Sequence, residues 1–279
     1  MSSSEGYILN AVQTPGPLLP VYRSIREGAD TRDDIEADTG VKAGLDAALD
    51  GLRLLRMVGR EDDEYYAEDY KWDVGTETWS FKLTALHNLA QECDPGNWGK
   101  QASVLLNYRY LLEKDIQYFE NNEQGLYSDI DDWYSEIGYE PSSRQGKITH
   151  NHNKFANWTR LVHFLGLVHK VRGREHTVYP DPKLVRTSLK LAVDDRGIDV
   201  DGTPGIEIGQ YLRWLRHNLL SVETTSKGDI PEGLARVLLE LVRDGDIKLV
   251  EYGDAGATGL GGVPPYEGID SEANTITLA

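Results

Sequence analysis

One cysteine in 279 residues, Cys93, excludes an intrachain disulfide and a structural zinc site built on several thiolates. Long apolar runs are missing, so no stretch is suited to span a bilayer. The opening MSSSEGYILNAVQTPG has neither the basic nor the apolar region of a secretory signal peptide, and the expected location is the cytoplasm. Catalytic signatures are scarce as well. There is no Walker A loop, no GxSxG elbow, no GxGxxG after a strand, no DFG-type set and no HExxH. Asp63, Glu68 and Lys71 lie close in sequence, as in a metal nuclease, but on or after a predicted hairpin rather than on a sheet that would gather them. Cys93 has no identifiable partner base. The expectation is a non-enzymatic protein with no metal and no cofactor.

Cations are the other shortage. Asp and Glu total 46 against 29 Lys and Arg, for a net charge of −17 and a pI of about 4.8. The excess is spread along the chain and does not form an acidic tail. A diffuse acidic surface resembles the proteins of extreme halophiles, where carboxylates keep the surface hydrated at multimolar salt, and implies a haloarchaeal-type protein. Under that reading, overall acidity does not argue against DNA binding.

Against this background, residues 141–190 stand out. PSSRQGKITHNHNKFANWTRLVHFLGLVHKVRGREHTVYPDPKLVRTSLK holds ten basic residues and two acidic ones, a net +8 that leaves −25 for the rest of the chain. It also holds five of the seven histidines. A basic island in an acidic chain points to an anionic partner.

Taken in order, residues 1–13 read as a loose lead-in. Leu19, Tyr22 and Ile25 then mark a first helix ending near Gly28, and Thr31 caps a second that closes at Gly40. Leu45, Leu49, Leu52 and Leu55 give a third helix one apolar face, and Met57–Tyr66 reads as a hairpin. Helix, helix, helix, hairpin is a winged-helix order. The phrase VKAGLDAALDGLRLLRMVG is similar to many prokaryotic members of the winged helix-turn-helix superfamily, without pointing to a specific family. That resemblance implies a mainly α fold with small β-hairpin wings (α+β), built here from tandem winged-helix units.

The first unit spans 14–70 and is acidic, with Asp46 and Asp50 on its third helix and Arg60-Glu61-Asp62-Asp63-Glu64 at its wing, a poor surface for phosphates. Residues 71–100 read as a connector. The basic unit spans 101–192: a helix with Val104, Leu105, Tyr108, Leu111, Leu112 and Ile116 on one face, a helix Ile130–Ile137 capped by Ser128, a helix with the stripe Phe155, Trp158, Leu161, Val162 and Leu165, and a hairpin with its tip at Gly173. The C-terminal unit, 200–279, is again acidic. It has helices around Ile208–Leu219 and Leu234–Leu241, and IKLVEY paired with TITLA.

In a helix-turn-helix protein the N-terminal residues of the second helix of the motif reach base edges. Here these are His150, Asn151, His152, Asn153, Lys154, Asn157 and Arg160. Asn suits adenine, and Lys or Arg suits guanine. Arg144 and Lys147 just upstream suit phosphates, and Arg172, Arg174 and His176 at the wing suit the backbone or minor groove. At about 1 M salt the Debye length is only about 3 Å, so a halophilic reader must lean on close hydrogen bonds to bases. His150 and His152 have no cysteine nearby and no metal-ligand spacing. The reading is a DNA-binding transcriptional regulator contacting duplex DNA through 144–176. Its acidic outer units would form a homodimer or bind a partner protein. The alternative is a scaffold or adaptor subunit of a DNA-processing or anti-phage defence assembly, with winged helices used for protein contacts.

Overall fold

The computed structural model describes residues 6–143, 146–253, 256–262 and 272–279. The chain runs α1 (Ile8–Ala11), α2 (Leu18–Arg26), α3 (Arg32–Thr39), α4 (Leu45–Leu54), β1 (Val58–Glu61), β2 (Glu64–Ala67) and α5 (Glu77–Ala90). After a 3-10 turn at Lys100–Ala102 come α6 (Ser103–Glu113), β3 (Tyr118–Glu120), α7 (Gln124–Glu136), β4 (Ser142–Ser143), β5 (Gly146–Lys147), α8 (His152–Leu165), β6 (His169–Arg172) and β7 (Glu175–Thr177). The remainder is α9 (Pro182–Arg196), β8 (Ile198–Val200), β9 (Thr203–Glu207), α10 (Ile208–Asn218), α11 (Glu232–Arg243), β10 (Ile247–Val250), β11 (Thr258–Gly259), β12 (Glu272–Ala273) and β13 (Thr275–Leu278). The fold is mixed, helices with small antiparallel sheets, compatible with the α+β class. Among the described residues no helix is long and apolar enough to cross a membrane.

Two compact units divide the chain. One comprises Met1–Val104 and Asn121–Leu165, the other Leu105–Glu120 and Gly166–Ala279. These limits differ from the expected ones: the stretch 101–192 supplies α7 and α8 to the first unit and β3, β6, β7 and α9 to the second.

In the first unit α2, α3 and α4 form as their sequence dictates. Thr31 Oγ1 accepts from the Asp34 amide at 3.2 Å, and Gly40 ends α3 with φ +68°, the left-handed conformation that glycine adopts without a Cβ clash. Leu45, Leu49 and Leu52 are buried, so the apolar face of α4 packs inward. Asp62 and Asp63 both have positive φ between β1 and β2, the geometry of a two-residue hairpin turn. Of the expected loose lead-in, residues 1–5 lie outside the described residues and 6–13 are not loose. Tyr7, Ile8, Leu9 and Val12 are buried; Gln101 accepts from the Ile8 amide at 2.9 Å and donates to the Gly6 carbonyl at 3.0 Å. Helix α7 starts at Gln124, so Ser128 sits inside it and caps nothing. Helix α8 buries the expected stripe, with the Trp158 indole donating to the Val104 carbonyl at 2.9 Å.

Among the described residues the second unit carries three sheets, in strand orders β3-β7-β6, β10-β13-β9-β8 and β11-β12. The expected pairing of IKLVEY with TITLA is β10 against β13, with Ile247 opposite Leu278, and the hairpin tip at Gly173 has φ +53°. Helix α9 was not anticipated. It starts at Asp181, whose carboxylate accepts from the Lys183 amide at 2.8 Å, with Pro182 in the first turn, and it buries Leu184, Val185, Ser188, Leu189, Ala192 and Val193. One order of elements recurs along the chain: helix, strand, helix, helix, strand, strand. Setting aside the two-residue strands β4, β5, β11 and β12, it is met as α6-β3-α7-α8-β6-β7 and again as α9-β9-α10-α11-β10-β13. In both runs the third strand pairs between the first and the second, and β8 is an extra outer strand in the later one. Residues 18–67 show the same order without the first strand.

Candidate nucleic-acid interface

The positions expected to touch DNA fall into three groups. Three are buried, which corrects the sequence reading. His150 retains 2% side-chain exposure: its amide donates to Asp131 Oδ2 at 2.8 Å, its Nδ1 lies 2.7 Å from Asp131 Oδ1, and its ring packs on Tyr134. Asn157 is buried, with its amide donating to the Leu9 carbonyl at 2.8 Å and its oxygen accepting from Arg160. His176 is stacked on Phe119 with ring centroids 5.7 Å apart, and its Nδ1–H donates to the Arg174 carbonyl at 2.9 Å. Arg160 is exposed, but its Nε donates to the Gln13 carbonyl at 2.7 Å, so this guanidinium serves the N-terminal segment. Arg144 lies outside the described residues.

The second group surrounds the start of α8. Asn151 is the N-cap: its side-chain oxygen accepts from the Lys154 amide at 2.9 Å. His152 and Asn153 follow in the first turn and are exposed. Lys154 is half-buried and donates to the Thr149 carbonyl at 2.6 Å; burial pulls its ammonium below the usual lysine pKa, against a smaller opposing pull from Asp131. Lys147 is exposed and donates to Ser135 Oγ at 2.9 Å, with Glu140 at 3.9 Å.

The body of α8 is a different matter. Ala156, Asn157 and Thr159 are buried along with the expected stripe, because α1 packs on that side. A helix covered over most of its middle cannot lay it in a major groove without being uncovered. Beyond the first turn only Arg160 and His163 are exposed, and Arg160 is bonded to the Gln13 carbonyl.

The third group is the hairpin of β6 and β7, in the second unit. Lys170, Arg172 and Arg174 are exposed, and Arg172 makes only a loose 3.5 Å pair with Glu175. The same unit carries Lys183, Arg186 and Lys190, which lie in the basic island but outside the helix-turn-helix positions expected to touch DNA. Their spacing of three and four residues puts them on one face of α9, where all three are exposed and Arg186 pairs with Asp246 at 2.9 Å. Positions 147–160 belong to the first unit and 172–176 to the second.

The remaining helices offer less to phosphates. On α4 the exposed side carries Asp46, Asp50 and Arg53, and on α11 Arg236 is paired with Glu232 at 2.5 Å. Among the described residues no three His, Cys, Asp or Glu side chains converge as a metal site would require. Glu68 and Lys71 line a cleft of about 550 Å³ with Arg53, Arg56 and His87, while Asp63 pairs with Arg60 at the hairpin tip. Comparison with protein-family models, with curated proteins and with solved structures finds no match to this chain.

Proposed function

We propose that the chain is a non-enzymatic, duplex-DNA-associated protein built from winged-helix units, and that it grips the phosphate backbone without reading sequence through α8. The winged-helix reading is supported by the recurring helix, strand, helix, helix, strand, strand order and by its repeated strand arrangement. The observation that carries the DNA contact is the exposed cation set of the second unit, Lys170, Arg172 and Arg174 on the hairpin with Lys183, Arg186 and Lys190 on α9. Cations that neutralise phosphates bind sequence-independently and release counterions. The largely covered middle of α8 favours the scaffold or adaptor role in a larger DNA-associated assembly over that of a regulator. The acidic α4 and its hairpin are then surfaces for a partner protein or a second copy.

The regulator reading retains one observation, the exposed Asn151, His152 and Asn153 at the start of α8. Selection of bound molecules from random duplexes in potassium chloride separates the two. The scaffold reading expects binding with no enriched motif, and co-purification with larger partners. A discrete enriched site, lost on Asn153→Ala, would overturn it in favour of a regulator.

A further inference from the structure

A second concavity, of about 500 Å³, lies wholly within the first unit, and its charge is one-sided. Lys100, Lys147 and Lys154 line it together with Asn10, Ser143 and Tyr7, and among the described residues no carboxylate lines it. The other cleft of similar size balances Arg53, Arg56 and Lys71 with Glu68 and Asp69. Within a chain of net charge −17, three ammonium groups around one hollow is an unusual use of scarce cations.

Local geometry disfavours the charge on one of the three, Lys154. Lys154 lies in the first turn of α8, where the positive end of the helix dipole disfavours a cation. Its ammonium is half-buried and feels the charge of Asp131, and Lys147 has Glu140 at 3.9 Å. Lys154 donates to the Thr149 carbonyl and Lys147 to Ser135 Oγ, which fixes the direction of both side chains. Each ammonium carries three donors, so these bonds orient the groups without exhausting them. The volume lies within the usual range for small-molecule sites, about 300–1,000 Å³. A DNA backbone would lie across an open surface, whereas this site is a hollow walled by Tyr7 and Asn10 of the docked N-terminal segment.

We propose that this hollow binds a small molecule bearing two or more phosphate groups, held by Lys100, Lys147 and Lys154 as point-charge contacts. The proposal is independent of the DNA-contact reading, which rests on the other unit. Its test is calorimetric titration of the full chain with inorganic pyrophosphate and with ATP. Titrations are run at the lowest potassium chloride concentration that preserves the native circular dichroism spectrum. Saturable one-to-one binding is expected. Lys147→Gln and Lys154→Gln should each weaken it by about tenfold or more, the loss of one charge-assisted contact. Lys147 is exposed, so its variant should keep the parent melting temperature and remain interpretable if Lys154→Gln does not fold. No saturable binding by either probe, or binding that Lys147→Gln leaves unchanged, would overturn the assignment. So would a short duplex that displaces bound pyrophosphate, since the lysines would then serve the DNA backbone. Unchanged duplex binding in hairpin variants with pyrophosphate binding intact would count against the DNA reading alone.

Discussion

The side-chain amide of Asn157 donates to the backbone carbonyl of Leu9 at 2.8 Å, across 148 residues of sequence. The Asn157 oxygen accepts from Arg160, whose Nε donates to the Gln13 carbonyl. Two polar residues on α8 thus pin the segment that precedes α2. Asn157→Ala removes this buried link and leaves the Leu9 carbonyl without that donor. A loss of about 1–3 kcal/mol is expected, read as a lower urea midpoint at unchanged slope. A role in base recognition would instead leave the midpoint at its parent value.

Gly51 offers a second check on the same packing. A Cβ there would sit 2.6 Å from Val12 Cγ2 and 3.1 Å from Leu18 Cδ2. Alanine would gain about 1 kcal/mol of helix propensity, but overpacking in a filled core costs about 1–3 kcal/mol. The net expectation for Gly51→Ala is a destabilisation of about 1 kcal/mol in denaturant melts, although the substitution favours the helix. A rise in stability would mean that the docking of Val12 on α4 is loose.

Alkaline pH should unfold the protein through its tyrosines. Burial raises the phenols of Tyr7, Tyr108, Tyr134, Tyr139 and Tyr211 well above the ordinary tyrosine range, and Tyr179, half-buried and bonded to Tyr118, is pushed up to about 12. A group whose pKa is raised in the folded state contributes stability that is complete below its unfolded pKa, about 10 for tyrosine. That stability is lost as pH rises from there toward the folded values. Melting temperature should therefore be flat up to about pH 10 and fall steeply above it. Phenolate absorbance should appear in two steps, exposed tyrosines first and the buried group only with unfolding.

For DNA, the Arg172→Ala/Arg174→Ala double variant should weaken binding to all duplexes about equally. It should reduce the slope of log K against log salt by about 1.8, two phosphate contacts at about 0.9 each. Fluorescence anisotropy over a series of potassium chloride concentrations reads this directly. An unchanged slope would remove the hairpin from the interface.

Legibility from sequence followed the physics of each element. Thr31, Gly40 and the leucines of α4 announce their helices because caps and periodicity are local. The stripe Phe155, Trp158, Leu161, Val162 and Leu165 was readable for the same reason. The opposite side of α8 was not, because Ala156, Asn157 and Thr159 look like a solvated face until α1 is seen to cover them. A buried asparagine bonded to a distant carbonyl leaves no periodic trace. Helix α9 has a local signal too, Asp181-Pro182 followed by Leu184, Val185, Ser188, Leu189 and Ala192 at helical spacing. The strand β3 is three residues long and owes its place to pairing with β7, 55 or more positions onward, which no local pattern encodes. Of the candidate site, the cationic hairpin was legible as charge around a glycine turn. The burial of His150 and His176 depends on Asp131 and Phe119, partners that only the folded chain supplies.

The interleaved make-up of the two units bears on how the chain is born. The first cannot be complete until residue 165 has left the ribosome, and by then residues 105–120 of the second have been synthesised without β7, the strand on which β3 will pair. For the same reason a gene cut between codons 121 and 151 leaves the start of the first unit without α8 and separates β3 of the second from its sheet partners β7 and β6. Evolution, or an engineer, can trade these units only by moving the whole reading frame from one end of the weave to the other.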